Sequence, residues 1–219
     1  MKAASLAILI LLGAYITVIA QNNPILIDEF DAISNDDLSS RVDNLWNQLK
    51  DGSQGVVILT GTTLANHLNK RRMEGCNLMR RYPTDSLVFI FENDHEDYAV
   101  QFWRIPPGAV GDSRFKAHEL PYTLPHISRP FELTSSGASD DFCPRHFDLD
   151  WYARFLSANP SFKGKAVFDT SAPDFLKRTR KYREQLAALG IKTSRVRFFR
   201  RHFPHETDEQ WWLIPNKKP

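Results

Sequence analysis

The chain has 219 residues, of which 42% are hydrophobic and 25% charged, and its formal net charge is +2. This balance excludes a disordered or collagen-like chain, and a chain of this length can bury about 70% of its unfolded surface. It contains no nucleophile elbow, phosphate-binding loop, dinucleotide fingerprint or zincin motif. We therefore expect a globular protein that is not an enzyme and carries no cofactor and no metal.

The first twenty residues have the features of an export signal. Met1-Lys2 supplies a positive start, and the apolar run Leu6–Ile19 is shorter than the roughly 20 residues of a membrane-spanning helix. We place the cleavage after Ala20, so residues 1–20 are a predicted signal peptide and the mature protein is exported, either periplasmic or secreted. A retained N-terminal anchor is the alternative. No other segment could span a membrane.

The first half of the mature chain predicts two strand–helix pairs followed by two strands. Ser34 begins a capping box ahead of the first helix, and Gly52 lies just past the end of that helix. Strands are indicated by short apolar runs and helices by apolar residues at helical spacing. The predicted elements are strand 25–30, helix 34–49, strand 56–60, helix 64–81, and strands 87–91 and 98–105.

The second half predicts the same order of elements. Asp148 caps its first helix, which ends before Pro160. Ser171 begins the second helix with Pro173 in the first turn, and Gly190 ends it. The strands of this half are predicted at 131–134, 165–168, 196–199 and 210–214.

A shift of 109 residues aligns Gly55–Pro106 with Gly164–Pro215 without a gap and preserves a shared Gln-aromatic-Trp-x-Ile-Pro ending, whereas the residues before Gly55 match at a slightly different offset. We interpret this match as a diverged tandem repeat, with coincidence between unrelated strands as the alternative. Matched positions include Gly55 and Gly164, Phe89 and Phe198, and the segments Gln101–Pro106 and Gln210–Pro215.

The predicted fold is α+β, with two tandem β-α-β-α-β-β modules whose helices pack on one face of each sheet. The first module is expected at 21–108 and the second at 130–219. A Pro- and Gly-containing linker at 109–129 separates them. Three apolar residues of this linker could anchor it to a domain surface: Phe115, Leu120 and Tyr122.

Charge is divided unequally between the halves. Residues 21–109 hold 8 Lys and Arg against 13 Asp and Glu, a balance of −5, whereas residues 110–219 hold 19 against 13, a balance of +6. The modules could attract one another, or the basic module could bind an envelope polyanion. The basic run Lys177–Arg183 is joined later in the chain by Arg195, Arg197, Arg200 and Arg201. The run is either an ordinary solvated helix face or an anion site that the neighbouring Arg-rich strand extends. Nucleic acid is not expected as a partner, because an exported protein seldom meets it.

Paired aromatic residues near the end of each module alternate across a strand. In Phe102-Trp103 and in Trp211-Trp212, one member should enter the core and the other should face the opposite side of the sheet. The faces that carry Trp103 or Trp212 are candidate surfaces for the other module, a protein partner or a glycan.

The cysteines and histidines are candidates for a disulfide and a metal site. Cys76 and Cys143 are the only cysteines, and an even count in an exported chain permits a disulfide. The alternative is two buried thiols that never meet, and the sequence leaves this open. We interpret His202 and His205, which flank Pro204, as part of a solvated turn and not as a metal site.

The order of elements resembles the C-terminal peptidoglycan-binding domain of outer-membrane protein A and of flagellar motor stator proteins. The segment Asn66–Arg72 is similar to the second helix of that family, with Arg72 at the ligand-binding arginine, and Arg180 is its counterpart in the second module. Asp169 stands where the family has an aspartate after the second strand. The resemblance implies that Asp169 pairs with the ammonium of a diaminopimelate stem, while Arg180 or Arg183 takes its carboxylate.

We therefore predict an exported, non-enzymatic cell-envelope protein that binds peptidoglycan, or another anionic or zwitterionic envelope ligand, through its second module. The predicted ligand-binding residues are Asp169, Arg180, Arg183 and Arg72. For Asp169 the alternative is that it caps the following helix together with Ser171. For the whole protein, the alternative is a secreted protein–protein interaction module without peptidoglycan binding.

Overall fold

The computed structural model describes residues 23–93, 95–109, 113–116, 118–125, 127, 129–136, 143, 147–201 and 209–215. The predicted signal peptide and the turn containing His202 and His205 lie outside these residues.

The described chain is α+β, with two four-stranded mixed sheets and the predicted order β-α-β-α-β-β in each half. The first half contains β1 (Ile25–Phe30), α1 (Asn35–Gln48), β2 (Gln54–Thr60), α2 (Thr63–Arg80), β3 (Leu87–Glu92) and β4 (Ala99–Ile105). The second half contains β5 (Phe131–Ser136), α3 (Leu149–Ala158), β6 (Phe162–Asp169), α4 (Ala172–Ala188), β7 (Val196–Arg201) and β8 (Glu209–Pro215). The predicted fold class is confirmed.

The predicted helix caps are confirmed because their side chains satisfy backbone N–H groups that a helix start leaves without partners. Ser34 accepts from the N–H of Asp37 at 3.1 Å, and Asp148 accepts from the N–H of Asp150 at 2.9 Å. Ser171 caps α4, which also has a proline in its first turn. Beyond the end of α4, Gly190 has a φ of +78°, which favours glycine.

The two sheets have the same topology and register. Their strand orders are β1-β4-β2-β3 and β5-β8-β6-β7, and in each the second and third strands in sequence pair in parallel. Gly55 pairs with Leu87 and Arg104, and the residues 109 positions later, Gly164, Val196 and Leu213, pair in the same way. Each outer first strand also carries a register shift at the equivalent place, between Leu26 and Asp28 and between Glu132 and Thr134.

The chain divides into two compact units whose boundaries depart from the predicted ones at one helix. The first unit runs to Thr62 and resumes over Arg80–Glu119, whereas the second comprises Thr63–Met79 and the residues from Leu120 onward. Thus α2, which the sequence pattern places in the first module, belongs almost entirely to the second compact unit. Residues 120–129 of the predicted linker belong to that unit as well.

The core of the second unit is dominated by aromatic side chains. Trp211 and Phe168 from the sheet pack with Tyr152 and Phe155 from α3 and with Leu186 from α4, all at most 1% exposed. Helix α2 contributes Leu64 and Leu68 at the border of the same cluster. Apolar area buried on this scale is the main favourable term in folding, at about 25 cal/mol per Å².

A disulfide links helix α2 to the rest of the second unit. Cys76 on α2 and Cys143 are both buried and form a disulfide, so the structure joins the pair that the sequence left open. His67 also lies on α2. Its Nδ1 accepts from the indole N–H of Trp151 at 3.4 Å, and its Nε2 lies 3.0 Å from the carbonyl oxygen of Pro121.

The first unit has a smaller core and a covered outer face. Helix α1 packs against β1 and β4, where Arg41 forms an ion pair with Asp28 at 2.6 Å. The other face of the sheet carries Val56, Ile58 and Ile90, and the short segment that ends at Phe115 packs against them. None of the helices in the described part of the chain is long and apolar enough to cross a membrane.

Candidate functional site on the open sheet face

Asp169 lies at the end of β6 and is already engaged by an arginine of the neighbouring strand. Its side chain is 4% exposed, and both carboxylate oxygens accept from the Arg201 guanidinium, at 2.8 Å from Nε and 2.6 Å from Nη2. The two residues are register partners across β6 and β7. The cap of α4 is Ser171, so Asp169 serves as the fixed anion of an ion pair and not as a helix cap.

The three predicted ligand arginines have other surroundings. Arg180 is 84% exposed and pairs with Glu184 one turn along α4. Arg183 places its guanidinium carbon 5.6 Å from the ring centre of Phe198. Arg72 is half-buried on α2. The resemblance-based set Asp169, Arg180, Arg183 and Arg72 therefore stays a prediction, with Asp169 and Arg180 each held by a partner of its own.

A different set of cations gathers on the face of the second sheet that points away from α3 and α4. Side chains alternate along a strand, so the residues between the buried Phe162, Ala166 and Phe168 of β6 point outward. These outward residues include Lys163 and Lys165. Arg197 and Arg201 of β7 occupy the same face, because their register partners in β6 are Lys165 and Asp169.

These cations line a groove of about 680 Å³. Lys165 lies between Arg197 and Trp212 in the ladder, since it pairs in register with both. Phe199, 45% exposed, lies in the next row, and Arg200 and Arg201 line the groove at the end of β7. The volume falls within the range of ordinary small-molecule sites, roughly 300–1,000 Å³.

Two aromatic rings flank the central lysine. Lys165 Nζ is 5.4 Å from the ring centre of Trp212 and 5.7 Å from that of Phe199, both within cation–π range. The predicted division of the aromatic pairs is confirmed, because Trp211 is buried in the core and Trp212 faces the groove side. The indole N–H of Trp212 is buried without an acceptor among the described residues, whereas Trp103 in the first module donates to Gln101 at 3.0 Å.

The equivalent face of the first module is built from apolar residues. At the positions of Lys165, Arg197 and Phe199, it has residues that belong to a hydrophobic cluster: Val56, Val88 and Ile90. Trp103 packs on Phe115 with ring centres 5.5 Å apart, and the guanidinium of Arg114 lies 5.3 Å from its ring centre. Two sheets of one topology thus carry opposite chemistry on their outer faces, one covered and apolar, the other cationic.

Acidic residues on the cationic face are few. Asp169 is committed to Arg201, and Glu132 on the outer strand β5 is the register partner of Trp212, on the far side of that tryptophan from Lys165. Within the part of the chain that the structure describes, no carboxylate forms an ion pair with Lys163, Lys165 or Arg197. The described residues that line the groove therefore carry an excess of positive charge.

The buried histidine and tyrosines of the second unit serve its core. The pKa of His67 is lowered to about 4, mainly by burial and also by nearby Lys70 and Arg71, against the raising effects of the Pro121 carbonyl and Glu74. Burial also raises the pKa of Tyr182, whose hydroxyl donates to Glu209. The described residues contain no group of three or more His, Cys, Asp or Glu side chains that could hold a metal ion.

Comparison with known proteins gives no further guide to the ligand of this groove. No protein-family model, curated protein or solved structure matches the chain.

Sequence reasoning found part of this surface. It grouped Arg197, Arg200 and Arg201 with the basic run of α4 but missed the two lysines of β6. The predicted strand began only at Lys165, whereas β6 begins at Phe162, so the shared face of Lys163 and Lys165, spaced two apart, went unnoticed. What the pattern could not supply is which strands lie beside β6, because that depends on the sheet order.

Proposed function

We propose that this is an exported, non-enzymatic envelope protein whose second module binds an anionic envelope polymer in the groove on its open sheet face. The observation that carries the proposal is the row formed by Trp212, Lys165 and Arg197, in which two cations are direct neighbours on adjacent strands. Such neighbours repel each other and destabilise a sheet. A bound anion placed between them would remove this repulsion.

Two observations support the proposal that the protein is exported. One is the apolar run Leu6–Ile19 behind Met1-Lys2. The other is the disulfide between Cys76 and Cys143, because disulfides persist in oxidising compartments and are rare in the cytosol.

The test is co-sedimentation of mature protein, residues 21–219, with purified sacculi that retain their anionic accessory polymers, across a salt series. The informative variant is Lys165→Glu, which places an acid beside Arg197 and repels an anion from the groove. Lys181→Glu on the exposed side of α4 is the matched control, because it changes the net charge equally. Arg180→Ala tests the resemblance-based site in parallel.

We expect wild-type binding to weaken as salt screens the charges. Lys165→Glu should bind at least tenfold more weakly, while Lys181→Glu and Arg180→Ala keep wild-type affinity. Loss of binding in Arg180→Ala with wild-type affinity in Lys165→Glu would move the site to α4 and contradict the groove. Absence of sedimentation at every salt concentration would contradict envelope binding and favour the protein-interaction alternative.

A stability measurement separates loss of function from misfolding. Lys165→Glu replaces a like-charge pair with an opposite pair, but it also removes the cation–π contacts of Lys165 with Trp212 and Phe199. Because these effects oppose each other, the free energy of unfolding should change by less than about 1 kcal/mol while binding is impaired. Impaired binding together with a loss of about 2 kcal/mol or more would mean that the variant had damaged the fold instead of the groove.

A further inference from the structure

We propose that the polymer bound in the groove is a carboxylated polysaccharide, whose acidic groups bind Lys165 and Arg197 while a sugar ring lies against the exposed Phe199. This inference rests on the proposed function and specifies its ligand class. It depends on the way in which aromatic rings and cations alternate on the open face.

Arginine and aromatic side chains alternate along β7. Arg197, Phe199 and Arg201 are spaced two apart and therefore share one face. The charge of Arg201 is paired with Asp169, so Arg197 and the exposed ring of Phe199 are the two side chains of this row that a ligand can contact. A polymer made only of charged groups, such as polyphosphate, would leave that exposed ring without a partner. A chain of acidic sugars presents carboxylates and apolar ring faces together.

The ammonium of Lys165 occupies the space in front of two aromatic rings. Lys165 Nζ lies over both aromatic rings, at 5.4 Å from Trp212 and 5.7 Å from Phe199. A nucleobase that stacked on either ring would have to displace this ammonium, because stacking requires an open ring face. A sugar carboxylate can instead pair with the ammonium, while the sugar ring packs against the exposed part of Phe199.

The hydrogen-bonding groups of Arg197 and Gln210 also match those of an acidic sugar. Arginine offers a planar pair of donors that matches a carboxylate, and Arg197 is exposed with no ion pair to any described carboxylate. Gln210, which also lines the groove, offers an amide that can donate to or accept from a sugar hydroxyl. Charge, ring and amide therefore occur together on one face, as recognition of an acidic glycan requires.

The experiment is isothermal titration of mature protein with three soluble probes of matched length: oligogalacturonate, polyphosphate and single-stranded oligodeoxynucleotide. A neutral oligosaccharide of the same backbone is the control for charge. The informative variant is Phe199→Ser, since this ring is already 45% exposed and its loss leaves the core intact. Leu176→Ser, another exposed apolar residue, on α4, is the matched control variant.

We expect oligogalacturonate to bind at least tenfold more tightly than polyphosphate or the oligonucleotide, and the neutral sugar to show no binding. Phe199→Ser should weaken oligogalacturonate binding at least fivefold, and Leu176→Ser should leave it unchanged. Equal affinity for all three polyanions, with no effect of Phe199→Ser, would overturn the glycan inference and leave the anion-binding proposal standing. Tighter binding of the oligonucleotide would replace the glycan with a nucleic acid. No binding of any polyanion would overturn both proposals.

Discussion

The ion pair between Asp169 and Arg201 shows how the two modules differ at one pair of equivalent positions. At the equivalent positions of the first module, the Thr60 hydroxyl donates to Glu92 at 2.9 Å. A side-chain contact thus joins the two strand ends in both modules. The charged residue is an acid, Glu92, on β3 of the first module and a base, Arg201, on β7 of the second. In the second module this difference places a cation at the end of the groove and leaves its counter-ion buried.

At the residue scale we predict that Asp169→Asn lowers the free energy of unfolding by about 1–2 kcal/mol, because it removes two charge-assisted hydrogen bonds to a partly exposed arginine. Urea unfolding measures this loss. Thr60→Val at the equivalent site should cost less than half as much, since the Thr60–Glu92 hydrogen bond is exposed. Equal losses in the two variants would contradict a special role for the ion pair.

His67 predicts a pH dependence of stability. Its pKa of about 4 in the folded protein lies below the ordinary value of 6.5, so the unfolded chain binds the proton more tightly. The stability is therefore fully present above pH 6.5 and is lost as pH falls toward 4. Between about pH 7.5 and about pH 5 the loss should be about 2 kcal/mol.

Urea unfolding of wild type and His67→Phe at the two pH values checks this expectation. The variant will be less stable at neutral pH, because the Pro121 carbonyl loses its donor and the Trp151 indole loses its acceptor. Its stability should nevertheless fall less on acidification than that of wild type, and the difference isolates His67 from the other histidines. The same pH slope in both proteins would show that His67 is not the titrating group.

At the scale of elements, a glycine of β6 lies directly against a tyrosine of helix α3. A Cβ on Gly164 would overlap the Tyr152 hydroxyl, and that hydroxyl donates to the Trp212 carbonyl at 3.1 Å. At Gly55, the equivalent position, the Cβ would meet the ends of Leu87 and Leu49 side chains. Leucine termini can move, whereas a fully buried, hydrogen-bonded tyrosine is held in place.

Gly164→Ala should therefore destabilise the protein by about 2–3 kcal/mol, and Gly55→Ala by less. Thermal or urea unfolding of the two variants gives the comparison. A second change, Tyr152→Phe in the Gly164→Ala background, removes the overlapping hydroxyl and should recover part of the loss. If Gly55→Ala were the more damaging change, the packing argument at Tyr152 would be wrong.

The disulfide that links α2 to Cys143 should contribute to the free energy of unfolding. Cys76 and Cys143 are 67 residues apart in sequence, and closing a loop of this length should stabilise the fold by about 4 kcal/mol. Urea unfolding with and without a reducing agent measures that contribution. A double variant, Cys76→Ala with Cys143→Ala, should be less stable and insensitive to reductant. Unchanged stability of wild type after complete reduction would contradict this expectation.

At the scale of the whole molecule, the second compact unit is discontinuous in sequence. It includes most of α2 together with Leu120 and Leu124, both buried, whereas the module predicted from sequence begins at residue 130. A fragment of residues 130–219 would therefore lack the side chains that cover Trp151 and Phe155. We expect it to bind a hydrophobic dye and to unfold at lower urea concentration than residues 21–219. A fragment with native stability would show that α2 is dispensable for this core.

The sequence by itself determined the features that depend on neighbours along the chain. Helix caps such as Ser34 and Asp148 act within three residues, and alternation along a strand places Trp211 and Trp212 on opposite faces of the sheet. The match at a spacing of 109 residues predicted that two copies share one order of elements, and the common register of Gly55 and Gly164 agrees with it.

Only the tertiary structure decided the features that join distant segments. The partner of Cys76, the assignment of α2 to the second unit and the pairing of Asp169 with Arg201 each depend on contacts between residues at least 30 positions apart. The groove is the clearest case, because Lys165, Arg197 and Trp212 become neighbours only through the sheet order β8-β6-β7. Local patterns specify which face a side chain takes, but strand order specifies which charges share that face.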